Sequence, residues 1–527
     1  MSGDLTEVAD KSVRGGLVLF LSEAGSTTIL ALGSILVARF LGPEYYGVYS
    51  ISLAAPAIII SLIGLGLDET IIRFSAKLRS ENRSAQLLSF MKNAITFRLA
   101  VSLVAWLAFF LSSDILASTL LNRPEAGGYV KLSSLLIIFQ ALFSILYNLY
   151  VGLDRYGAGA TAKISMSIVK SVSAPLLVII GLGVVGAVLG HVLGFVAATI
   201  IAMSMLYLGP YRALSSTADG GGEYRGSFRG DLKTMIGYGL PLYTSSLMLL
   251  LVEQYRLILL AHNISDLEIG NFQAAGNFAT LITVISTPIS MALFPAFSKL
   301  DPSGEDVRKA FQYSVKYTAM LIVPTALLTI LMSRSLLEVV YGHKYQLAPS
   351  YLSLYATIYL YSAIGSTVLD YFFNAIGKTT INLKATMIYV TLFIPLSIAL
   401  TPLYGVTGLI LSVLASFTLK VVYSIYVARN KLRAPIDFKN SASILVASGA
   451  AAIPTLPLAL NQPMPTHLNL LLGGIIYLAT YLTILPIIRG LDKTDIEILR
   501  KLSSNYGKLK PIIDLVMRYE SILVKKT

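Results

Sequence analysis

Residues 184–208 read VVGAVLGHVLGFVAATIIAMSMLYL, an unbroken run without one Asp, Glu, Lys or Arg. At 1.5 Å per residue, a helix of that length crosses a hydrocarbon core of roughly 30 Å with residues to spare. Thirteen more apolar stretches flank it, near 15–38, 46–66, 90–112, 130–151, 162–182, 235–261, 272–296, 310–333, 350–373, 383–401, 406–427, 442–460 and 468–488. The 527-residue chain is 55% hydrophobic and 13% charged, more apolar surface than a water-soluble core can hide. The expected fold class is therefore an all-α integral membrane protein with about 14 transmembrane helices.

The basic residues between the stretches fall in alternate gaps. Gaps after an even number of spans hold Arg73, Lys77, Arg79 and Arg83, then Arg155 and Lys163, then Arg212, Arg225, Arg229 and Lys233. Later even gaps hold Lys299, Arg308 and Lys309, then Lys378 and Lys384, then Arg429, Lys431, Arg433 and Lys439. The odd gaps hold only Arg39, Arg123, Arg334 and Lys344, with Lys131 at a span edge. Because Lys/Arg-rich loops stay on the cytoplasmic side, both termini are expected there, in a multi-pass protein of the cytoplasmic (plasma) membrane. The net charge of +13 is then a topology signal, and no nucleic-acid partner is expected. The first stretch is a full span interrupted by Glu23, so it reads as a retained helix and not as a cleaved leader. The absence of cysteine excludes disulfides and thiolate sites, and four scattered histidines give no ligand spacing. No nucleotide-binding loop is found, and no metal or cofactor is expected.

The two halves of the chain echo each other at an offset of about 222 residues. Gly47-Val48-Tyr49 opens the second span and Gly270-Asn271-Phe272 the eighth; Gly183-Val-Val-Gly186 opens the sixth and Gly405-Val-Thr-Gly408 the twelfth. Six spans is an even number, so the two repeats insert with the same orientation as parallel lobes, with a substrate path between them. The expected organisation is an N-terminal six-helix lobe over 1–225 and a C-terminal six-helix lobe over 226–434. An extra helix pair over 435–488 and an amphipathic tail over 489–527 at the cytoplasmic surface follow.

The stretch Val37-Ala38-Arg39-Phe40-Leu41-Gly42-Pro43-Glu44-Tyr45-Tyr46-Gly47-Val48-Tyr49 resembles the signature after the first helix of prokaryotic polysaccharide (oligosaccharidyl-lipid) flippases. These belong to the multidrug/oligosaccharidyl-lipid/polysaccharide exporter superfamily. Gly270-Asn271-Phe272-Gln273-Ala274-Ala275, Thr287-Pro288 and Phe294-Pro295-Ala296-Phe297-Ser298-Lys299 are similar to that family's stretch around the eighth helix. The resemblance implies a flippase moving a lipid-linked oligosaccharide or polysaccharide repeat unit across the cytoplasmic membrane by rocking of the two lobes. It also implies that the extra pair bounds a groove for the lipid tail.

Such a cargo joins an anionic head to an apolar tail, so the head needs a hydrated, cation-bearing path while the tail stays in lipid. Intramembrane charges are costly and are functional candidates for that reason. Glu23 stands about 12 Å into the first span, where it either takes up a coupling proton or sodium ion or pairs with a basic residue. Glu253 and Arg256, three apart on one face of the seventh span, form either a cavity site with Arg256 on phosphate and Glu253 in ion coupling, or an intrahelical pair near the outer end. The resemblance implies that helices 1 and 7 face one lumen. Arg98 is a candidate phosphate contact at the inward mouth, and Arg39 one near the outer end. Gln273 and Asn277, four apart on the eighth span, suit either sugar hydroxyls or helix–helix bonding. Lys170, Lys316 and Lys420 read as snorkelling lysines, Asp370 as an interfacial cap and His191 as a packing residue.

Two other readings compete: an ion-coupled multidrug or small-molecule antiporter of the same superfamily, and a membrane polysaccharide polymerase or ligase. The longest outer gap, 113–129, has only Asp114, Arg123 and Glu125 as charges, too few for an external catalytic loop, so no enzyme is expected. The orientation is directly testable. In intact cells, cysteines placed at Ser216 and Ser303 should resist an impermeant thiol reagent while one at Ser265 reacts; outside labelling at Ser216 reverses the topology.

Overall fold

The computed structural model describes residues 2–218, 228–298 and 304–492, and in the tail 495–496, 517, 519–521 and 523–524. Arg225 and Lys299 of the sequence argument lie outside the described residues. Every regular element among those described is helical. By packing the chain divides into two units, Met1–Gln273 and Ala274–Thr527.

Among the described residues, eight helices are long and apolar enough to cross a membrane, or nine counting the pair Ala348–Ile364 and Ser366–Ala375, bent by 53°. Three of the eight, Val18–Leu62, Tyr156–Ser216 and Thr379–Asn430, run 45, 61 and 52 residues. At 1.5 Å per residue these measure roughly 70–90 Å, more than twice the hydrocarbon thickness. Each is broken at glycines with positive φ: Gly42 (76°), Gly181 (96°) with Gly183 (52°), and Gly405 (59°). Gly42, Gly183 and Gly405 fall in the gaps between expected spans.

The first unit runs α1 (Ser2–Leu62), α2 (Leu67–Ser80), α3 (Ser84–Thr119), α4 (Gly127–Ser133), α5 (Leu136–Gly152), α6 (Tyr156–Leu177), α7 (Gly183–Leu206), α8 (Arg212–Ala218) and α9 (Phe228–Asn263), then the first turns of α10 (Asp266–Ser298). A core of Leu67, Ile71, Phe90, Leu146, Tyr150 and Phe195 lies among them. The outer faces stay apolar: in α3 Val104, Leu111 and Ile115 are 71%, 72% and 64% exposed. Such a surface is at home in lipid and not in water. Helices α6 and α7 are an antiparallel hairpin, in which Ser173 Oγ donates to the Gly190 carbonyl (3.2 Å).

The second unit continues α10 and adds α11 (Glu305–Leu331), α12 (Ser333–Tyr341), α13 (Ala348–Ala356), α14 (Ser366–Ala375), α15 (Thr379–Asn430), α16 (Phe438–Asn461) and α17 (Thr466–Ile487). Helices α16 and α17, within the 435–488 stretch of the sequence, form a hairpin. Tyr477 Oη donates to the Ser448 carbonyl within it (3.1 Å), and Tyr481 Oη donates to the Met320 carbonyl of α11 (3.0 Å). The repeat is visible in the backbone. Gly183 and Gly405, equivalent by sequence, adopt φ 52°, ψ −133° and φ 59°, ψ −139°, a region open in practice to glycine alone. Gly186 and Gly408, three residues on, both press against the main chain of the preceding helix with no room for a Cβ.

The tail docks onto the second unit. Lys316 of α11 is buried and donates to Asp495 Oδ2 (2.5 Å), and Tyr317 Oη donates to Asp495 Oδ1 (3.0 Å). Lys316 is thus not a snorkelling lysine: an internal carboxylate holds it. Lys420 likewise donates to Asp370 Oδ2 (2.8 Å), which makes Asp370 a partner and not a cap. Ile496 of the expected amphipathic tail is buried, and its further apolar residues Ile498, Leu499, Leu502, Ile512, Ile513, Leu515 and Val516 lie outside the described residues.

Glu520 is buried with one carboxylate oxygen lacking a hydrogen-bond partner, and burial pushes its carboxyl up to about 7. A docked pKa above the free value of 4.5 means that the docked tail binds the proton more tightly. Docking is then strongest in acid and weakens as the pH rises through neutrality. Limited proteolysis of the full chain should cut the tail faster at about pH 8 than at about pH 6. Glu520→Gln should abolish that difference and leave the tail protected at both.

Candidate functional site

Helix α1 up to Gly42 and helix α6 run side by side in the same direction through a seam of small polar residues. Ser26 Oγ and Ser167 Oγ share a hydrogen bond of 2.5 Å, Ser171 Oγ donates to the Ile29 carbonyl (2.8 Å), and Gly33 lies against Ser171. At the head of this seam Glu23 forms an ion pair with Lys163. The ammonium also sits 5.2 Å from the centre of the Tyr147 ring. Glu23 is therefore not a lone acid. Its partner is a lysine two turns into α6, and its carboxylate stays half exposed, with 51% of the side chain accessible.

One level further along, Lys170 donates to His191 Nε2 (3.2 Å), and His191 Nδ1 lies 3.0 Å from Tyr49 Oη. Lys170 is thus held inside the unit and does not snorkel. Since Nε2 accepts from the ammonium, the ring proton sits on Nδ1 and points to Tyr49. His191 was read as packing; it joins two polar side chains from α1 and α6.

Helix α9 carries the Glu253–Arg256 pair, with Nη1 to Oε2 at 3.0 Å. Arg256 is 9% exposed, whereas 60% of the Glu253 side chain is accessible. The first half of α9 binds the ends of α1, α2 and α3. Thr70 Oγ1 donates to the Met235 carbonyl (3.2 Å), Asn93 Nδ2 to Asp231 (2.7 Å) and Tyr243 Oη to the Ser61 carbonyl. The Arg73 guanidinium lies 4.4 Å from the Tyr238 ring centre. These contacts draw α9 into the first unit, which by packing ends at Gln273.

Arg98 is 2% exposed and its guanidinium is engaged by main chain: Nε donates to the Ala141 carbonyl (3.2 Å) and Nη1 to those of Ile63 (2.6 Å) and Gly64 (3.4 Å). It satisfies carbonyls left over where α1 ends, a helix-capping task that competes with any phosphate contact. Beside it Asp68, which the sequence reading passed over, accepts from Ser144 Oγ (2.7 Å).

Beside the Gly42 break the repeats touch through their equivalent glycines. A Cβ on Gly47 would overlap the Asp266 carbonyl, and one on Gly270 would overlap the Pro43 carbonyl. Gly47 and Gly270, like Pro43 and Asp266, are separated by the same interval in sequence, so the contact is reciprocal. Arg123 fastens it: Nε pairs with Asp266 Oδ1 (3.0 Å), and the Nη groups donate to the Ala261 (3.0 Å) and Ile264 (2.7 Å) carbonyls. Burial holds the Asp266 carboxyl above its usual range, opposed by the Arg123 charge. Arg39 is exposed just before the Gly42 break, and Gln273 and Asn277 are half-buried on α10.

A family model described as "Polysaccharide biosynthesis protein" matches residues 36–349, which include the glycine contact and the Glu253–Arg256 pair but not Glu23. The chain belongs to the polysaccharide biosynthesis protein family. A second model, "Lipid II flippase MurJ", matches residues 273–469 of this family member. The succinoglycan biosynthesis transport protein ExoT of Rhizobium meliloti (strain 1021) is 23% identical over 308 residues, 58% of this chain and 57% of that one. The chain thus spans little more than half the length of that relative. The lipopolysaccharide biosynthesis protein WzxC of Escherichia coli (strain K12) is 22% identical over 423 residues, covering 77% and 79% of the two chains. Among solved structures, the lipid II flippase MurJ in an inward closed conformation superposes with a TM-score of 0.71. At 15% identity it covers 89% of this chain and 98% of that one, so the fold is shared over almost its whole length.

The glycine contact makes a stability prediction. Gly47→Ala and Gly270→Ala should each lower the midpoint of thermal unfolding in detergent, at a cost of about 1–3 kcal/mol for overpacking. Gly128→Ala, where nothing stands within 4 Å of the new Cβ, should be silent. Equal behaviour of all three would mean that the glycines do not set the helix spacing.

Proposed function

We propose that the protein flips a lipid-linked oligosaccharide or polysaccharide repeat unit across the cytoplasmic membrane by alternating access, with both termini and the basic loops in the cytoplasm. The reading is carried by the reciprocal seam at Gly47 and Gly270, where two equivalent repeats of a family member close on each other. Repeats that meet at a symmetric contact can part there and close elsewhere, and so expose a path to each side in turn. The glycans named in the two relatives support a sugar-bearing cargo, and the α16–α17 pair favours a flippase over a multidrug antiporter. No bond of the cargo need be made or broken, so the chain acts as a transporter and not as an enzyme.

Arg256 is the proposed phosphate contact, steered by Glu253, with Arg39 meeting the cargo near the outer end and Gln273 and Asn277 offering amides to sugar hydroxyls. Arg98 was a further candidate, but its hydrogen bonds to main-chain carbonyls leave it the weakest of the set. Glu23 is the proposed coupling group. A proton or sodium ion on its accessible carboxylate would compete with Lys163 and loosen the α1–α6 seam, and Glu253 would act similarly toward Arg256. A charge pair 4 Å apart is worth about 4 kcal/mol at an effective dielectric of 20, enough to bias two conformations.

The test follows cargo in cells. Arg256→Ala should cut flipping by about tenfold or more, leave the lipid-linked unit on the cytoplasmic leaflet and deplete surface glycan. Arg256→Lys should recover only part, because the planar fork is gone. Glu23→Gln should insert and fold but lose dependence on the ion gradient, while Arg225→Ala stays silent. Wild-type glycan export by both the Arg256→Ala and Glu23→Gln variants would overturn these assignments.

A further inference from the structure

A cavity of about 290 Å³ opens between the cytoplasmic end of α3 and the end of α7, both of which pack on α5. Met91, Ile95, Met203 and Leu206 form its apolar walls, and Lys92, Tyr207 and Tyr211 its rim. The rim is built by a π-helical turn, Tyr207–Tyr211, which continues α7 with Pro210 inside it. Wide turns of this kind recur at functional sites because they re-aim side chains that an α-helix would place elsewhere. Here the turn stacks the two tyrosine rings 5.5 Å apart at 26°. Lys92 Nζ lies 5.4 Å from the centre of the Tyr211 ring, and the Arg212 guanidinium 5.4 Å from that of Tyr207. Both cations are therefore anchored by aromatic faces. Neither has a carboxylate partner among the described residues, and no Asp or Glu lines the cavity.

We propose that this groove binds one anionic glycerophospholipid of the cytoplasmic leaflet, its phosphate between Lys92 and Arg212 and an acyl chain against the apolar walls. Three observations select that occupant. The two cations stand at the level where the expected spans near 90–112 and 184–208 meet the cytoplasmic interface, which is the depth of a lipid phosphate. Basic pockets between helices on this side are suited to anionic headgroups. The walls continue into outward-facing apolar side chains, with Leu103 on α3 42% and Ile200 on α7 59% exposed, so the groove opens to the bilayer along a path for a hydrocarbon chain. A zwitterionic headgroup would bring its own cation toward two that have no carboxylate partner among the described residues, and a free phosphate ion would leave the apolar walls uncovered. The site lies on the lipid-facing side of α3 and α7, apart from Arg256 and Glu23, and does not depend on what the protein carries.

The experiment is lipid retention by the purified full-length protein, read by native mass spectrometry with dioleoyl phosphatidylglycerol and dioleoyl phosphatidylcholine offered together. The wild type should retain phosphatidylglycerol with a preference on the order of tenfold. Lys92→Gln with Arg212→Gln should lose the preference, whereas Lys378→Gln with Lys431→Gln, equal in charge but remote, should keep it. Ile95→Trp, which fills the cavity and leaves the charge alone, should also lose it. Equal retention of the two lipids by the wild type, or a preference that survives in the Lys92/Arg212 variant, overturns the proposal. So does displacement of phosphatidylglycerol by an equimolar polyprenyl phosphate, which would make the groove an entrance for cargo.

Discussion

Hydrocarbon offers no hydrogen bonds, and this chain is shaped throughout by that fact. Every backbone N–H and C=O inside the bilayer must be satisfied internally, so the described elements are helices and the chain reverses in as few residues as it can. Glycine makes those short reversals possible. Gly42, Gly183 and Gly405 adopt positive φ where a side chain would strain the turn, so two crossings follow each other with almost no polar backbone between them. Arg98 serves the same need where α1 ends: it donates to the main-chain carbonyls of Ile63 and Gly64 in an apolar core.

The same constraint governs the charges. Glu23 with Lys163, Lys316 with Asp495 and Lys420 with Asp370 join elements distant in sequence, and each brings its opposite charge within reach. Lys170 is the exception that uses an imidazole in place of a carboxylate. Removing one member of such a pair leaves its partner uncompensated, a larger penalty than the pair's own net contribution.

The span plan was legible because its cause is local: the length and apolarity of each stretch are set by the thickness of the bilayer. The repeat was legible for the same reason, since Gly183 and Gly405 perform one backbone task twice. Partner choice was not. Nothing near Glu23 in sequence points to Lys163, although the spacing of Lys163, Ser167 and Ser171 already marked one polar face of α6. Arg98 and the three lysines were judged by depth alone, and depth does not show which carbonyl or carboxylate another helix will bring. Arg123 looked like a stray charge in an outer gap, because its partners lie in a loop some 140 positions later.

The reciprocity of the glycine seam has a further meaning. A contact in which the same patch on each half meets its counterpart is the kind made by two identical subunits around a two-fold axis. A half-length chain carrying the Gly-Pro-Glu-Tyr-Tyr-Gly turn would already possess both sides of that interface and could close on a second copy of itself. Fusion of two such halves fixes their stoichiometry and frees each copy to drift. Only one half need then keep the acid at Glu23, and only the other the buried arginine at Arg256, so gene duplication could turn a symmetric dimer into an asymmetric machine without redesigning the joint on which it turns.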